Sequence, residues 1–216
     1  MGFTIGGIRE MRQGGARRRG RAGGATAVAE YTGLWGWAVT PGARAAGGVC
    51  SCGDPGCAAP GAHPLGFAPE VPPGATLGMA ADAWSEVPGA SVLLPVGRTF
   101  DVLDAPEAAG RRALVRMERM GLPLGPVTVT PTGRAQFFVA PGAAAGLPGL
   151  LYRMGWDDAD LDMRALGPGT YITAPPSDLG GLGPVRWLRP PAPGTAVAPP
   201  QARLLLGTLA YICHRW

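Results

Sequence analysis

Several apolar segments of this chain are joined by links too short for a parallel connection between strands. Ala90–Pro95 and Thr99–Asp104 are separated by a short link around Gly97. Val127–Thr130 and Gln136–Ala140 flank a segment of turn-forming residues. A parallel crossover needs a dozen residues or more, so neighbouring strands of this kind favour antiparallel arrangements. We therefore expect a mainly antiparallel sheet.

Helical signals occur between these strands. Pro106 can occupy the first turn of a helix that runs to about Met120, where Gly121 can end it. Near the end of the chain, Leu205 and Leu209 recur at helical spacing and can face a core. The expected helices are Thr26–Trp35, Leu77–Trp84, Pro106–Met120 and Gln201–His214, and further strands are expected at Trp37–Thr40, Tyr171–Ala174 and Val185–Leu188. The order of elements predicts an α+β fold, with helices flanking the sheet.

Length and composition indicate one domain. A chain of 216 residues with 46% hydrophobic residues can bury one sizeable core and is short for two. We place this domain at residues 25–216, with a loop at 45–65 and a C-terminal helix at 201–214. Residues 1–24 are expected to form a disordered tail rich in arginine and glycine.

Basic charge is concentrated in that tail. Its first 21 residues hold six arginines and one glutamate, whereas the remainder holds 13 arginines and 14 acidic residues. The tail either contacts nucleic-acid phosphates or is simply solvated. Glu30 interrupts the apolar run that follows, so no signal peptide is predicted, and no stretch approaches the roughly 18 apolar residues of a membrane span. We expect a cytoplasmic protein without membrane contact.

Three of the four cysteines lie close together. Cys50, Cys52, Cys57 and His63 form a C-x-C-x4-C-x5-H pattern in a loop rich in glycine and proline. Four such donors can close a tetrahedral Zn²⁺ site, and binding would order a loop that has little apolar surface to bury. A full protein shell leaves no position for water, so the expected zinc is structural. The alternative is a set of free thiols beside an unrelated histidine.

A collinear series of short motifs resembles the N-terminal domain of bifunctional DNA primase/polymerases. The resemblance covers about residues 28–190, and its strongest piece is Asp162-Met163-Arg164 followed by Ala174-Pro175-Pro176-Ser177. The other matching pieces are Tyr31, Gly36-Trp37, Val39, Pro41, the cysteine cluster ending in His63-Pro64, Trp84, Pro88, Gly97, Phe100–Asp104 and Thr130–Arg134.

The resemblance implies a primase-like core that joins nucleotides on a DNA template with divalent metal ions, Mg²⁺ or Mn²⁺. In the family an Asp-x-Asp pair on a strand supplies metal ligands, because residues i and i+2 share one face. The matching position here is Asp104, and the i+2 position is Pro106. Asp101 is a further candidate, although an i,i+3 pair in a regular strand points to opposite faces. Asp104 could alternatively cap the helix that begins near Pro106.

The two later motifs of the family supply the remaining candidates. Its second motif carries a histidine near the incoming nucleotide, and Gln136 occupies that position here, with Arg134 nearby. The resemblance implies nucleotide contacts from Thr132, Gly133, Arg134, Gln136 and Arg164, and a metal-binding carboxylate at Asp162. Thr132 and Gly133 could instead form only a hairpin turn, and Asp162 with Arg164 could be a structural ion pair.

Three functions follow as expectations. The first is metal-dependent nucleotidyl transfer through Asp104 and Asp162, with activity reduced or lost because Pro106 replaces a carboxylate. The second is a non-catalytic, zinc-stabilised protein that binds nucleic acid or a replication partner, with any helicase supplied as a separate chain. A zinc-stabilised interaction protein without a nucleic-acid role also remains open.

Overall fold

The computed structural model of the protein describes residues 24–47 and 49–215. The tail expected at 1–24 lies outside these residues except for Gly24. Helix α1 covers 24–33, and the other helices are α2 (Leu77–Glu86), α3 (Glu107–Arg119), α4 (Ala143–Arg153) and α5 (Ala202–His214). The strands are β1 (Thr40–Gly42), β2 (Ala45–Ala46), β3 (Val49–Cys50), β4 (Ser91–Pro95), β5 (Asp101–Pro106), β6 (Val127–Val129), β7 (Arg134–Val139), β8 (Arg164–Leu166), β9 (Tyr171–Thr173) and β10 (Arg186–Arg189).

All strand pairs among the described residues are antiparallel, which confirms the expected α+β fold. Five strands form the larger sheet in the order β10-β6-β7-β5-β8. Three form a second sheet in the order β1-β4-β9, and β2 and β3 form a small hairpin of their own. The predicted hairpin of β6 and β7 is present, with Thr128 opposite Gln136.

The short link between β4 and β5 does not form a hairpin, because the two strands belong to different sheets. Gly97 takes a φ of 96°, and its amide donates to the Phe100 carbonyl at 2.7 Å. A Cβ at Gly97 would lie 2.4 Å from the nitrogen of Pro168. A glycine at this close approach therefore lets the chain leave one sheet and enter the other.

Helices α3, α4 and α5 cover one face of the larger sheet. Leu103 of β5 and Phe137 of β7 point into this core, where they join Met117 of α3 and Leu205 of α5. At Gly110 the contact is so close that a Cβ would lie 2.4 Å from the Cβ of Ala135. Strand β7 is thus held directly against α3 beside the position of Arg134.

The other face of the larger sheet packs toward the three-stranded sheet and the first two helices. Val102 and Phe138 lie in this core together with Trp37 and Phe100. The rings of Phe100 and Phe138 meet edge to face, with centroids 4.4 Å apart. The Tyr31 hydroxyl donates to the Pro175 carbonyl and links α1 to the segment after β9.

Most predicted elements are present, with some differences. The strand expected at Trp37–Thr40 begins at Thr40 and includes Pro41, which an edge strand tolerates. Helix α4 was not predicted, because Gly146, Pro148 and Gly149 within it are poor helix formers. None of the helices in the described ranges is long and apolar enough to cross a membrane.

Candidate functional site

The four predicted zinc ligands converge. Cys50 ends the β2–β3 hairpin, and Cys52, Cys57 and His63 follow in the irregular loop. Their ligand atoms all lie within 4.8 Å of one another. A tetrahedral zinc with thiolate and imidazole ligands separates its donor atoms by about 3.4–3.8 Å, which follows from the metal–ligand distances. The cluster therefore needs only a small contraction to hold the ion.

Hydrogen bonds around this centre prepare its donor atoms. His63 Nδ1 lies 2.9 Å from the Pro64 carbonyl, which leaves Nε2 to face the Cys50 sulfur at 3.3 Å. Backbone amides of Cys52 and Gly61 donate to that sulfur and help lower the pKa of Cys50 to about 6. The hydrogen bond with Cys50 in turn raises the pKa of His63. With Nδ1 at the Pro64 carbonyl, Nε2 is the nitrogen directed into the cluster, and zinc would replace its proton beside a readily formed thiolate, so the residues fit the ion.

Asp101 and Asp104 project from opposite faces of β5, which pairs with β7 in unbroken register from Asp101 to Pro106. Asp101 shares its face with Leu103, on the side of the helices. Its Oδ2 accepts from the backbone amide of Ala144 at 2.9 Å, in the first turn of α4. Asp101 therefore caps a helix, and the structure does not bring it to the other candidate residues.

Asp104 is fully buried, and side chains of neighbouring strands surround its carboxylate. Its Oδ1 accepts from Arg134 Nε at 2.7 Å and from Arg164 Nε at 3.3 Å. Its Oδ2 accepts from Gln136 Nε2 at 3.2 Å, and Thr128 donates to the other end of that amide at 3.2 Å. Helix α3 has Pro106 as its N-cap and no side-chain cap, so Asp104 does not serve as the cap.

Arg134 connects Asp104 to Asp162. Its Nη1 donates to both carboxylate oxygens of Asp162, at 2.7 and 2.8 Å, and its Nη2 donates to the Asp162 carbonyl at 3.2 Å. Burial opposes the charge of Arg134, but its bonds to Asp162 and Asp104 outweigh that effect and raise its pKa. Asp162 thus pairs with Arg134, and Arg164 pairs with Asp104. We call these residues, Asp104, Arg134, Gln136, Asp162 and Arg164, the carboxylate–arginine cluster.

The turn between β6 and β7 uses its polar groups internally. The Thr130 and Thr132 hydroxyls lie 2.8 Å apart, and the Gly133 amide donates to the Thr130 carbonyl at 3.1 Å. The Arg134 amide donates to the Thr130 hydroxyl at 3.2 Å. Thr132 and Gly133 are exposed beside the cluster, but two of the turn's amides are already engaged in holding its shape.

The carboxylate–arginine cluster does not fit a pair of divalent metals as it stands. All four carboxylate oxygens of Asp104 and Asp162 face a nitrogen donor, and two guanidiniums balance the two negative charges. Pro106, two residues after Asp104 on β5, contributes no metal ligand. The guanidinium of Arg134 instead occupies the space between the two acidic groups.

Sequence reasoning included Arg134 but missed its central place. It assigned the residue to nucleotide contact, whereas the structure sets its side chain between two carboxylates. Strand alternation could have indicated that Arg134 and Gln136 lie on the same face, because they are two residues apart on β7. The register that sets Arg134 opposite Pro106 was not available from the sequence.

Comparison with known proteins gave one family. The family model described as bifunctional DNA primase/polymerase, N-terminal, matches residues 28–202. No curated protein and no solved structure matches the chain.

Proposed function

Because the chain belongs to the bifunctional DNA primase/polymerase N-terminal family, we propose that it is a primase/polymerase-like domain that binds DNA in replication without catalysing nucleotidyl transfer. The observation that carries the loss of catalysis is Arg134. Its guanidinium pairs with Asp104 and Asp162, the residues that we assign as counterparts of the family's metal-binding carboxylates. The pair with Asp104 is buried and therefore costly to open, whereas the Asp162 side chain is 71% exposed.

Exposed groups around the carboxylate–arginine cluster support the proposal that the domain binds DNA. The Arg164 side chain is 65% exposed and contacts Asp104 through Nε alone, so its remaining nitrogens can receive a phosphate. Thr132 and Gly133 lie on the adjacent exposed turn and can approach a phosphate without rearranging the sheet. We assign nucleotide or template-backbone contact to these three residues.

A second candidate function is metal-dependent nucleotidyl transfer. One guanidinium contacts both Asp104 and Asp162, so these carboxylates already lie near one another. If substrate phosphates drew Arg134 away, both would face a common space in which Mg²⁺ or Mn²⁺ could bind. This function requires Arg134 to exchange two carboxylates for a phosphate.

We also propose that Cys50, Cys52, Cys57 and His63 hold a structural zinc ion. Their spacing, mutual distances and hydrogen bonds support this assignment. The free thiols suit the reducing cytoplasm, where we place the protein. We also propose a helicase or another replication protein as a partner of this domain.

Two measurements on the full chain test the proposal. Fluorescence anisotropy with a labelled single-stranded oligonucleotide should detect binding that weakens in Arg164→Gln. Primer extension with Mg²⁺ or Mn²⁺ should yield no product above that of Asp104→Asn. Product that disappears in Asp104→Asn would favour the second function, and absence of any DNA binding would contradict both.

A further inference from the structure

Tyr211 of α5 holds two arginines against its ring. The guanidinium carbons of Arg116 and Arg215 each lie 5.6 Å from the ring centroid. Arg215 Nη1 also donates to the Tyr211 hydroxyl at 2.7 Å. We call Arg116, Tyr211 and Arg215 the arginine clamp. Cation–π contacts of this kind restrict side chains that otherwise move freely in solvent.

Neither arginine of the clamp has a carboxylate partner in the described part of the chain. The two acidic residues of α3 are both paired elsewhere: Glu107 with Arg111 at 2.7 Å, and Glu118 with Arg189 at 3.0 Å. Helix α5 contains no acidic residue. The positive charge of the clamp is therefore organised by an aromatic ring and is not paired with a carboxylate of the described residues.

The clamp lies on the basic side of a body that is otherwise acidic. Helices α3 and α5 with Arg215 carry six arginines and two glutamates, whereas the rest of residues 25–216 carries seven arginines and twelve acidic residues. The surface formed by α3 and α5 lies on the opposite side of the larger sheet from Asp104. Such an asymmetry attracts polyanions to one side of the molecule.

We propose that the surface of α3 and α5 around the arginine clamp binds the phosphodiester backbone of nucleic acid, separately from the carboxylate–arginine cluster. Guanidiniums fixed in position match phosphate oxygens better than mobile ammonium groups do. Arg119 is exposed about one turn beyond Arg116 on α3, so the charge extends along the helix toward a second phosphate. Val115, 47% exposed on the same helix, adds apolar surface for a sugar or base.

The surface has a boundary at one end of α5. The rings of Trp156 and His214 lie 5.2 Å apart, which brings a loop containing Asp157, Asp158 and Asp160 to that end. Negative charge in that loop disfavours continuation of the backbone beyond the clamp toward Trp156. The bound strand is therefore expected to extend along α3.

Salt-dependent DNA binding tests this surface in the full chain. The test variant is Arg116→Gln with Arg215→Gln, and the matched control is Arg98→Gln, which removes an exposed arginine paired with Glu70 away from both helices. Anisotropy is measured with fluorescent oligo(dT) of about 20 nucleotides, long enough for a typical single-stranded site. We expect the double variant to weaken binding about tenfold at low salt and to lower the slope of log K against log salt by about 1.4, since each single-strand phosphate contributes about 0.7.

A second variant tests whether the Tyr211 ring contributes to binding in addition to the charge of the two arginines. Tyr211→Leu keeps both arginines but removes the ring and its hydroxyl, and it should weaken binding several-fold with unchanged thermal stability. If the double variant and Arg98→Gln bind with equal affinity and slope, the surface is not a nucleic-acid site. Competition by polyglutamate as effective as by oligo(dT) would assign it to acidic proteins and overturn the proposal.

The inference rests on the proposed function for the identity of its ligand, but the two can fail separately. Loss of binding in Arg164→Gln, with none in the double variant, would contradict only the clamp surface. The reverse pattern would place DNA binding on α3 and α5 and contradict the role assigned to Arg164. An unmodified chain that binds no oligonucleotide contradicts both.

Discussion

Arg134 lies across both carboxylate oxygens of Asp162, with its Nη1 atom 2.7 and 2.8 Å from them. The same guanidinium donates through Nε to the buried carboxylate of Asp104. A positive charge from the chain itself therefore stands between the two acidic residues. Its removal should convert a neutral cluster into one that attracts cations.

The first prediction concerns Arg134→Gln. Without the guanidinium, the buried Asp104 carboxylate keeps only Gln136 and Arg164, and the free energy of unfolding should fall by about 3 kcal/mol. Mn²⁺ should then raise the melting temperature of the variant and leave that of the unmodified chain unchanged. Differential scanning calorimetry with and without Mn²⁺ makes the comparison. Equal stabilisation of the two proteins would contradict the role of Arg134 as the resident cation.

The second prediction concerns Pro106→Asp, which places a carboxylate on the same face as Asp104 and opposite Arg134 in the register. Pro106 is the N-cap of α3 and makes no side-chain cap, whereas an aspartate there can stabilise the helix by about 1 kcal/mol. Folding should therefore be retained. In the Arg134→Gln background the added carboxylate should strengthen Mn²⁺ binding, measured by isothermal titration calorimetry. Affinity no greater than that of Arg134→Gln alone would argue against this placement.

The third prediction concerns the cysteine cluster. The purified protein should contain one zinc ion per chain, and Cys52→Ser should lower the content sharply because it removes one of four ligands. Elemental analysis measures the metal directly. Cys213→Ser is the control, because Cys213 lies on α5 outside the cluster. Equal zinc in the two variants would place the metal elsewhere, and zinc absent from all of them would reject the site.

The fourth prediction separates Asp101 from the proposed site. Asp101→Ala removes the acceptor for the Ala144 amide at the start of α4 and should lower the free energy of unfolding by about 1 kcal/mol. DNA affinity should be unchanged, because Asp101 faces away from Asp104. Urea unfolding and anisotropy report the two properties. A loss of DNA binding without a loss of stability would return Asp101 to the functional residues.

The sequence was sufficient for the elements with strong local patterns. Pro106 and Gly121 indicated both ends of α3, and the turn-forming residues around Gly133 indicated the β6–β7 hairpin; both are confirmed. Helix α4 could not be found in this way, because it contains glycines and a proline and because the acceptor for its first turn is Asp101, more than 40 residues earlier. A cap supplied from a distant strand leaves no mark in the local sequence.

The two candidate sites differ in the same way, because one could be predicted from local sequence and the other could not. The cysteine cluster lies within one short segment, so spacing alone indicated which side chains could meet. The carboxylate–arginine cluster joins residues from three strands and a loop, and hydrogen-bond register decides which groups touch. Family resemblance identified its members, but the pairing of Arg134 with both carboxylates depends on tertiary geometry.

Because α3 lies close to β7, the effects of substitutions at Gly110 and Ala135 depend on each other. A methyl group at Gly110 would meet the methyl group of Ala135 at 2.4 Å, and overpacking of this kind costs about 1–3 kcal/mol. The only smaller residue that position 135 can accept is glycine, so an alanine at 110 is tolerated best when 135 becomes glycine in the same chain. Ala135 stands between Arg134 and Gln136. Moving one methyl group across this contact would relieve its tightest overlap and let the strand that carries both polar side chains keep its position.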